Sequence, residues 1–356
     1  MEIVGYKKLV IRVITLILYC IFGLSLFSQA LAFQQLSYTD GKVMCNAEHE
    51  AHDLKVYFGD QKGQNLANIP SIEGKQIKAV FIPSIPFSLG ETYTAFCNQQ
   101  VFVFTVAIPK NYKQARVTTI YPTQSILPAN QLKFYIQFSQ PMAVQAYPHI
   151  DLLDSAGEPI YRAILKEIPE LWSESRQLLC VWLEPGRIKQ GLGPNEKLGT
   201  ILKEGEEYIL KVSADLRDAQ GIKIKEEVMK KFTVKADDRA KLNYKDWNVA
   251  IPKSNSREAI KISFNETMDY GSVISLLNIE NVDGEIIKGT WEAQENESKV
   301  YFCPESNWQK GNYKLAINTR IEDLAGNNLI RLFDQDIQKQ AIIEEVEVVY
   351  IDVTIE

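Results

Sequence analysis

The chain has 356 residues, 46% of them hydrophobic and 24% charged, with a formal net charge of −6. An acidic chain in which no Lys/Arg block interrupts the mixed charge is not built to neutralise phosphates, which excludes nucleic acid as a ligand. The apolar content is that of ordinary globular protein, and the length suits two or three domains of about 100–200 residues.

The first predicted element is an export signal over residues 1–32. Lys7, Lys8 and Arg12 form its positive end, Val13 to Phe27 its apolar stretch, and Ser28-Gln29-Ala30-Leu31-Ala32 places small residues at the −3 and −1 positions of a cleavage site. The apolar stretch falls short of the about 20 residues that span a bilayer. Cys20 follows Tyr19 where a lipoprotein site needs a small residue. Cleavage after Ala32 is therefore expected, with no transmembrane span afterwards. The protein is expected in the periplasm, at the cell surface or outside the cell.

Residues 33–107 read as a small, divergent β unit. Cys45 and Cys97 both lie in it, and export to an oxidising compartment permits the pair to form a disulfide. Cys180 and Cys303 fall in separate later segments, and each reads as a small buried apolar residue.

Two longer units follow, at 115–235 and 242–335, and their landmarks recur in order. The first carries Phe138-Ser139-Gln140-Pro141-Met142, Gly205-Glu206-Glu207-Tyr208 and Asp218-Ala219-Gln220-Gly221. The second carries Phe264-Asn265-Glu266-Thr267-Met268, Gly311-Asn312-Tyr313 and Asp323-Leu324-Ala325-Gly326. A period far longer than the about 20–50 residues of a solenoid repeat means tandem domains. The small unit keeps part of the pattern in Phe81-Ile82-Pro83 and Gly90-Glu91-Thr92-Tyr93. Period-two alternation, as in Leu132 to Phe138 and Ile260 to Phe264, dominates and is punctuated by Gly, Pro, Asn and Asp. This predicts short strands in an all-β sandwich architecture. A turn of helix is expected at Ile164 to Trp172 and at Ser272 to Leu277. The tail, 336–356, alternates from Val346 to Val353 and either adds an edge strand or leads to a partner.

Candidate chemistry is sparse. His49-Glu50-Ala51-His52 is one residue short of the zincin spacing, and on a strand the two histidines point to opposite faces. The turns at Asp218 and Asp323 gather oxygen ligands and leave calcium open, but they do not match a twelve-residue calcium loop and read first as Asx turns, with Gly221 and Gly326 supplying positive φ. Of the tryptophans, Trp172, Trp247 and Trp308 lie near loops; they are the aromatics to face a ligand such as a sugar ring, or else to staple one domain to the next. Trp182 and Trp291 read as core or half-buried. No catalytic, cofactor or metal residue is assigned.

On these residues, together with Tyr121-Pro122, Leu127-Pro128 and Pro185-Gly186-Arg187, the chain resembles the bacterial Ig-like domain of S-layer proteins, the SbsA type, in tandem. The resemblance implies tandem Ig-like β-sandwiches serving as spacer, adhesive or accessory modules, with no catalytic residues to carry over. In the second copy Asn265-Glu266-Thr267-Met268 departs from the Ser-x-Pro-Met form. The function expected is a non-catalytic exported scaffold or adhesion protein that binds another macromolecule, either a protein or an envelope polysaccharide. A carbohydrate-binding accessory protein and a hydrolase using loop carboxylates or His49 and His52 are the alternatives.

Overall fold

The computed structural model describes residues 36–45, 53–97, 100–189, 191–334 and 346–356. The expected export signal and the His49–His52 cluster lie outside them. The chain divides into two compact units, Met1–Lys110 and Asn111–Glu356.

In the first unit, β1 (Leu36–Thr39), β2 (Lys42–Cys45), β3 (Lys55–Phe58), β4 (Gly74–Ile77), β5 (Val80–Pro83), β6 (Thr92–Cys97) and β7 (Gln100–Thr105) form two antiparallel sheets, ordered β1-β2-β5-β4 and β3-β6-β7. Leu36, Val43 and Phe81 from one sheet pack on Val56, Tyr93 and Phe104 from the other. Cys45 and Cys97 are joined across the sheets as a disulfide, with Cα atoms 6.7 Å apart.

The second unit holds two Ig-like sandwiches. The first comprises β8 (Val117–Tyr121), β9 (Ile126–Pro128), β10 (Lys133–Phe138), β11 (Ile150–Leu153), β12 (Leu171–Trp172), β13 (Leu178–Trp182), β14 (Glu207–Val212) and β15 (Val228–Lys235). Its sheets run β12-β13-β10-β8 and β11-β14-β15-β9. The next comprises β16 (Asn248–Ala250), β17 (Ile260–Ser263), β18 (Leu277–Asn281), β19 (Gly289–Gln294), β20 (Lys299–Pro304), β21 (Gly311–Asn318) and β22 (Val348–Ile355), in sheets β16-β17-β20-β19 and β18-β21-β22. The tail thus supplies β22, which pairs along the whole of β21 and buries Val353 and Ile355.

Equivalent strands keep equivalent registers. Tyr208 faces Phe232 as Tyr313 faces Val353, and Ile150 faces Val212 as Leu277 faces Ile317. Alternation explains which side chains turn inward: Tyr208, Leu210 and Val212 on β14, and Tyr313, Leu315 and Ile317 on β21. On β10 the pattern departs from simple alternation. Phe134, Ile136 and Phe138 enter the core, yet Lys133 and Tyr135 on the opposite face are buried too. The neighbouring sandwich covers that face.

The helical expectation at Ser272 is met by a helix over Tyr270–Ser275. The one at Ile164 to Trp172 is not: Ile164 bridges to Leu183 and Leu171–Trp172 is a strand. Pro169 bars its predecessor from the helical region. Short helices at Pro185–Ile188 and Gly193–Leu198, both begun by a proline in the first turn, escaped the alternation test. No helix among the described residues is long and apolar enough to cross a membrane.

Candidate functional site

The repeated motifs resolve into three local devices. The first is a tyrosine whose hydroxyl pins a backbone group a few residues upstream. Ser88 N–H donates to Tyr93 Oη at 2.9 Å, Lys203 N–H to Tyr208 Oη at 3.1 Å, and Tyr313 O–H donates to Gln309 O at 3.0 Å. The tyrosine that follows the landmark glycine therefore ties an equivalent corner in all three copies, two residues on in Gly311-Asn312-Tyr313 and three residues on in the other two.

The second device is a buried aspartate closing a turn. Asp218 Oδ1 accepts from the amides of Gln220 and Ile222, and Asp323 Oδ1 from those of Ala325 and Asn327. Each sits against a fully buried methionine, Met142 bridging to Asp218 and Met268 to Asp323. Gly326 holds φ +79, and a Cβ there would come within 2.6 Å of Leu132.

The third device is the junction between the sandwiches. Lys133 Nζ donates to Glu322 and lies 3.6 Å from Asp269. Tyr135 O–H donates to Asp269 Oδ1 at 2.8 Å, and the same oxygen caps the helix at Ser272 N–H. Burial alone would lower the Lys133 pKa; Asp269 and Glu322 reverse that, so the ammonium stays charged. Tyr121 stacks on Tyr270 with ring centroids 3.6 Å apart and planes 8° apart. Gly271 is required there, because a Cβ would collide with the Tyr135 ring. Across the same face Thr123 donates its amide and hydroxyl to the two carboxylate oxygens of buried Glu297, at 2.8 and 2.7 Å. Burial pushes the Glu297 carboxyl up, and the Thr123 donors pull it back. Leu132 N–H donates to Leu324 O at 2.9 Å, extending backbone bonding from one sandwich to the next.

The connecting segment is clamped as well. Asn130 and Asn327, one from each sandwich, both donate their Nδ2 to Asp238 O, at 2.8 and 3.1 Å, and Asp238 N–H donates to Asn130 Oδ1. Carboxylate oxygens of Asp238, Glu266 and Asp323 all lie within 4.8 Å of one another at this clamp. Three acids alone do not make a metal centre, and Asp323 already spends both oxygens on its turn.

The aromatic expectation fails in two of three places. Trp247 is 8% exposed and packs edge-on against Phe264; Trp308 is 2% exposed, lies between Phe302 and Tyr313, and donates Nε1–H to Glu258 O. A position beside a turn does not decide which way a side chain points, and both indoles fill core ends. Trp172 is half-buried on Phe138, with Nε1–H given to Glu170. Trp182 and Trp291 are half-buried. Cys180 and Cys303 are free and half-buried, not fully buried as expected, since each sits on the outward face of its strand. Burial pushes the Cys180 thiol up to about 12.

The junction escaped sequence reasoning because its partners are far apart in the chain and each reads alone as a polar strand or loop residue. One local signal was present: Asp269 precedes Ser272 by the spacing of a helix cap.

The bacterial Ig-like domain model matches residues 248–337. No curated protein matches the chain. Among solved structures, surface layer protein SbsC, domains 1–6, is 12% identical and has a TM-score of 0.26, over 68% of this chain and 26% of that one. The I9–I11 tandem of titin is 10% identical with a TM-score of 0.21, over 77% of this chain and 86% of that one. Alpha-2-macroglobulin from Escherichia coli, spanning domains MG0-NIE-MG1, is 10% identical with a TM-score of 0.23, over 58% and 66%. The chain thus spans about a quarter of the S-layer chain it resembles, and the sandwich assignment rests on the sheets and cores described above.

Proposed function

We propose that this protein is a non-catalytic, exported scaffold or adhesion protein of the cell envelope, which holds or recognises another macromolecule through its tandem Ig-like sandwiches. Both sandwiches are read as copies of the S-layer type of bacterial Ig-like domain, although the family model covers only the second. The observation that carries the proposal is the junction: buried side chains from both sandwiches pair across it, as Tyr135 and Lys133 do with Asp269. A joint of this kind fixes the angle between two modules, which a spacer or display scaffold needs and an isolated binding domain does not. The partner is a protein or an envelope polysaccharide. Burial of Trp247 and Trp308 removes two of the three aromatics that favoured sugar recognition.

The test is capture from a native envelope extract with the mature chain, Phe33 to Glu356. A stoichiometric protein partner or a polysaccharide that follows the chain supports the scaffold reading and identifies its target. A chain found in the cytoplasm, with deletion of residues 1–32 leaving its distribution unchanged, contradicts it.

A further inference from the structure

The two sandwiches seat their incoming segments in the same place but with different chemistry. In the first, the segment leading into β8 lies on the Asp218 turn. Tyr112 O–H donates to Asp218 Oδ2 at 2.6 Å, and Gln140 Nε2 donates to Lys113 O. In the second, the linker leading into β16 lies on the Asp323 turn. Glu266 stands where Gln140 stands, two residues after the phenylalanine and two before the buried methionine in both copies. Asp238 takes the place of the tyrosine. A seat with one carboxylate and two neutral donors is thereby replaced by a seat with three carboxylates.

We propose that this second seat is a proton-operated latch on the linker: it holds the linker down while a proton is lodged among Asp238, Glu266 and Asp323, and loosens when all three are ionised. A shared proton turns one carboxyl into the donor that Gln140 or Tyr112 supplies in the first sandwich. Without it, three like charges within 4.8 Å repel in a partly desolvated site. The latch is independent of what the protein binds.

The electrostatic surroundings agree in sign. Burial pushes the Asp323 carboxyl up to about 8, with Glu266 and Asp238 adding to the rise and the Asn327 bonds opposing it. Burial and Asp238 push Glu266 up to about 7, against Lys235. Among the other linker charges, Arg239 pairs with Asp237 and Asp334. Released carboxyls return to roughly pH 4. A carboxyl raised in the closed state stabilises that state fully below the released value and loses its contribution as pH rises through the closed value. The latch therefore weakens across the neutral range and opens above it, while the Tyr112 seat does not, because burial and the bond to Asp218 push that phenol up to about 12.

Hydrogen exchange of the linker amides, residues 235–242, tests this in the full chain with EDTA present from pH 6 to 9, corrected for intrinsic rates. A one-proton latch predicts that protection falls by up to about tenfold per pH unit from pH 6 to roughly pH 8 and levels off above that. Residues 111–116 serve as the internal control and should stay flat. Glu266→Gln, which copies the first sandwich, should at least halve the slope and keep the linker protected at pH 9. Asp238→Asn provides the same test should Glu266→Gln fail to fold. A flat profile in the native chain, or an undiminished slope in the folded variants, overturns the proposal.

Discussion

Tyr93, Tyr208 and Tyr313 do one job in three places, each fixing a strand's entry by one hydroxyl bond. The bond closes a local corner and is only partly buried, so its loss should be modest. Tyr208→Phe should cost about 1 kcal/mol in urea unfolding, the ordinary net worth of one intramolecular hydrogen bond. Asp269 is a different case. It is 3% exposed, faces Lys133, accepts from Tyr135 and caps a helix. Asp269→Ala leaves the buried ammonium short of a counter-charge and should cost about 3 kcal/mol by the same measurement, since removing one partner of a buried pair strands the other. A loss near that for Tyr208→Phe would mean that Glu322 alone satisfies Lys133. The tyrosines were legible in the sequence as repeated landmarks, because a corner is local and a glycine two or three residues ahead of the tyrosine recurs with it. Asp269 was legible only as a helix cap. Its partners sit on β10, and no local pattern announces a long-range ion pair.

At the scale of elements, alternation placed the strands at Leu132 to Phe138 and Ile260 to Phe264 correctly because a strand with one face on a core must repeat every second residue. It failed where the second face is also covered. On β10 both faces are buried, so Lys133 and Tyr135 look like solvent residues in the sequence and are junction residues in the fold. The same limit applies to Trp247 and Trp308, whose turns were legible and whose directions were not. The tail is the reverse case: its alternation was plain, and it supplies β22 by pairing with β21 from Gly311 to Asn318. The Cys45–Cys97 bridge ties the two sheets of the first unit, whose core is the smaller. Reduction should destabilise that unit by about 2–5 kcal/mol, in line with disulfides in small exported domains. Peptide-resolved hydrogen exchange with and without reductant should show the loss confined to residues 36–105. A loss that spreads into residues 115–356 would mean that the first unit supports the rest.

On the scale of the whole molecule, the sandwiches of the second unit are joined by elements that a flexible tether lacks. An aromatic stack at Tyr121 and Tyr270, a bidentate bond from Thr123 to Glu297 and a backbone bond from Leu132 to Leu324 fall at the end of β8, in the loop after it and just before β10 of the first sandwich. Domains in one chain move relative to one another by default unless their interface is large and well packed. Here several buried polar groups are satisfied only across the joint, so swinging it open would strand them in a dry environment. Rigidity of this joint is the central claim, because the scaffold reading depends on it. Residual dipolar couplings of the full chain in a weakly aligning medium, held at pH 6, measure it most directly. Amides of 115–235 and of 242–356 should fit a single alignment tensor of common magnitude and orientation. Two tensors of different magnitude would show the sandwiches moving independently and would contradict the account.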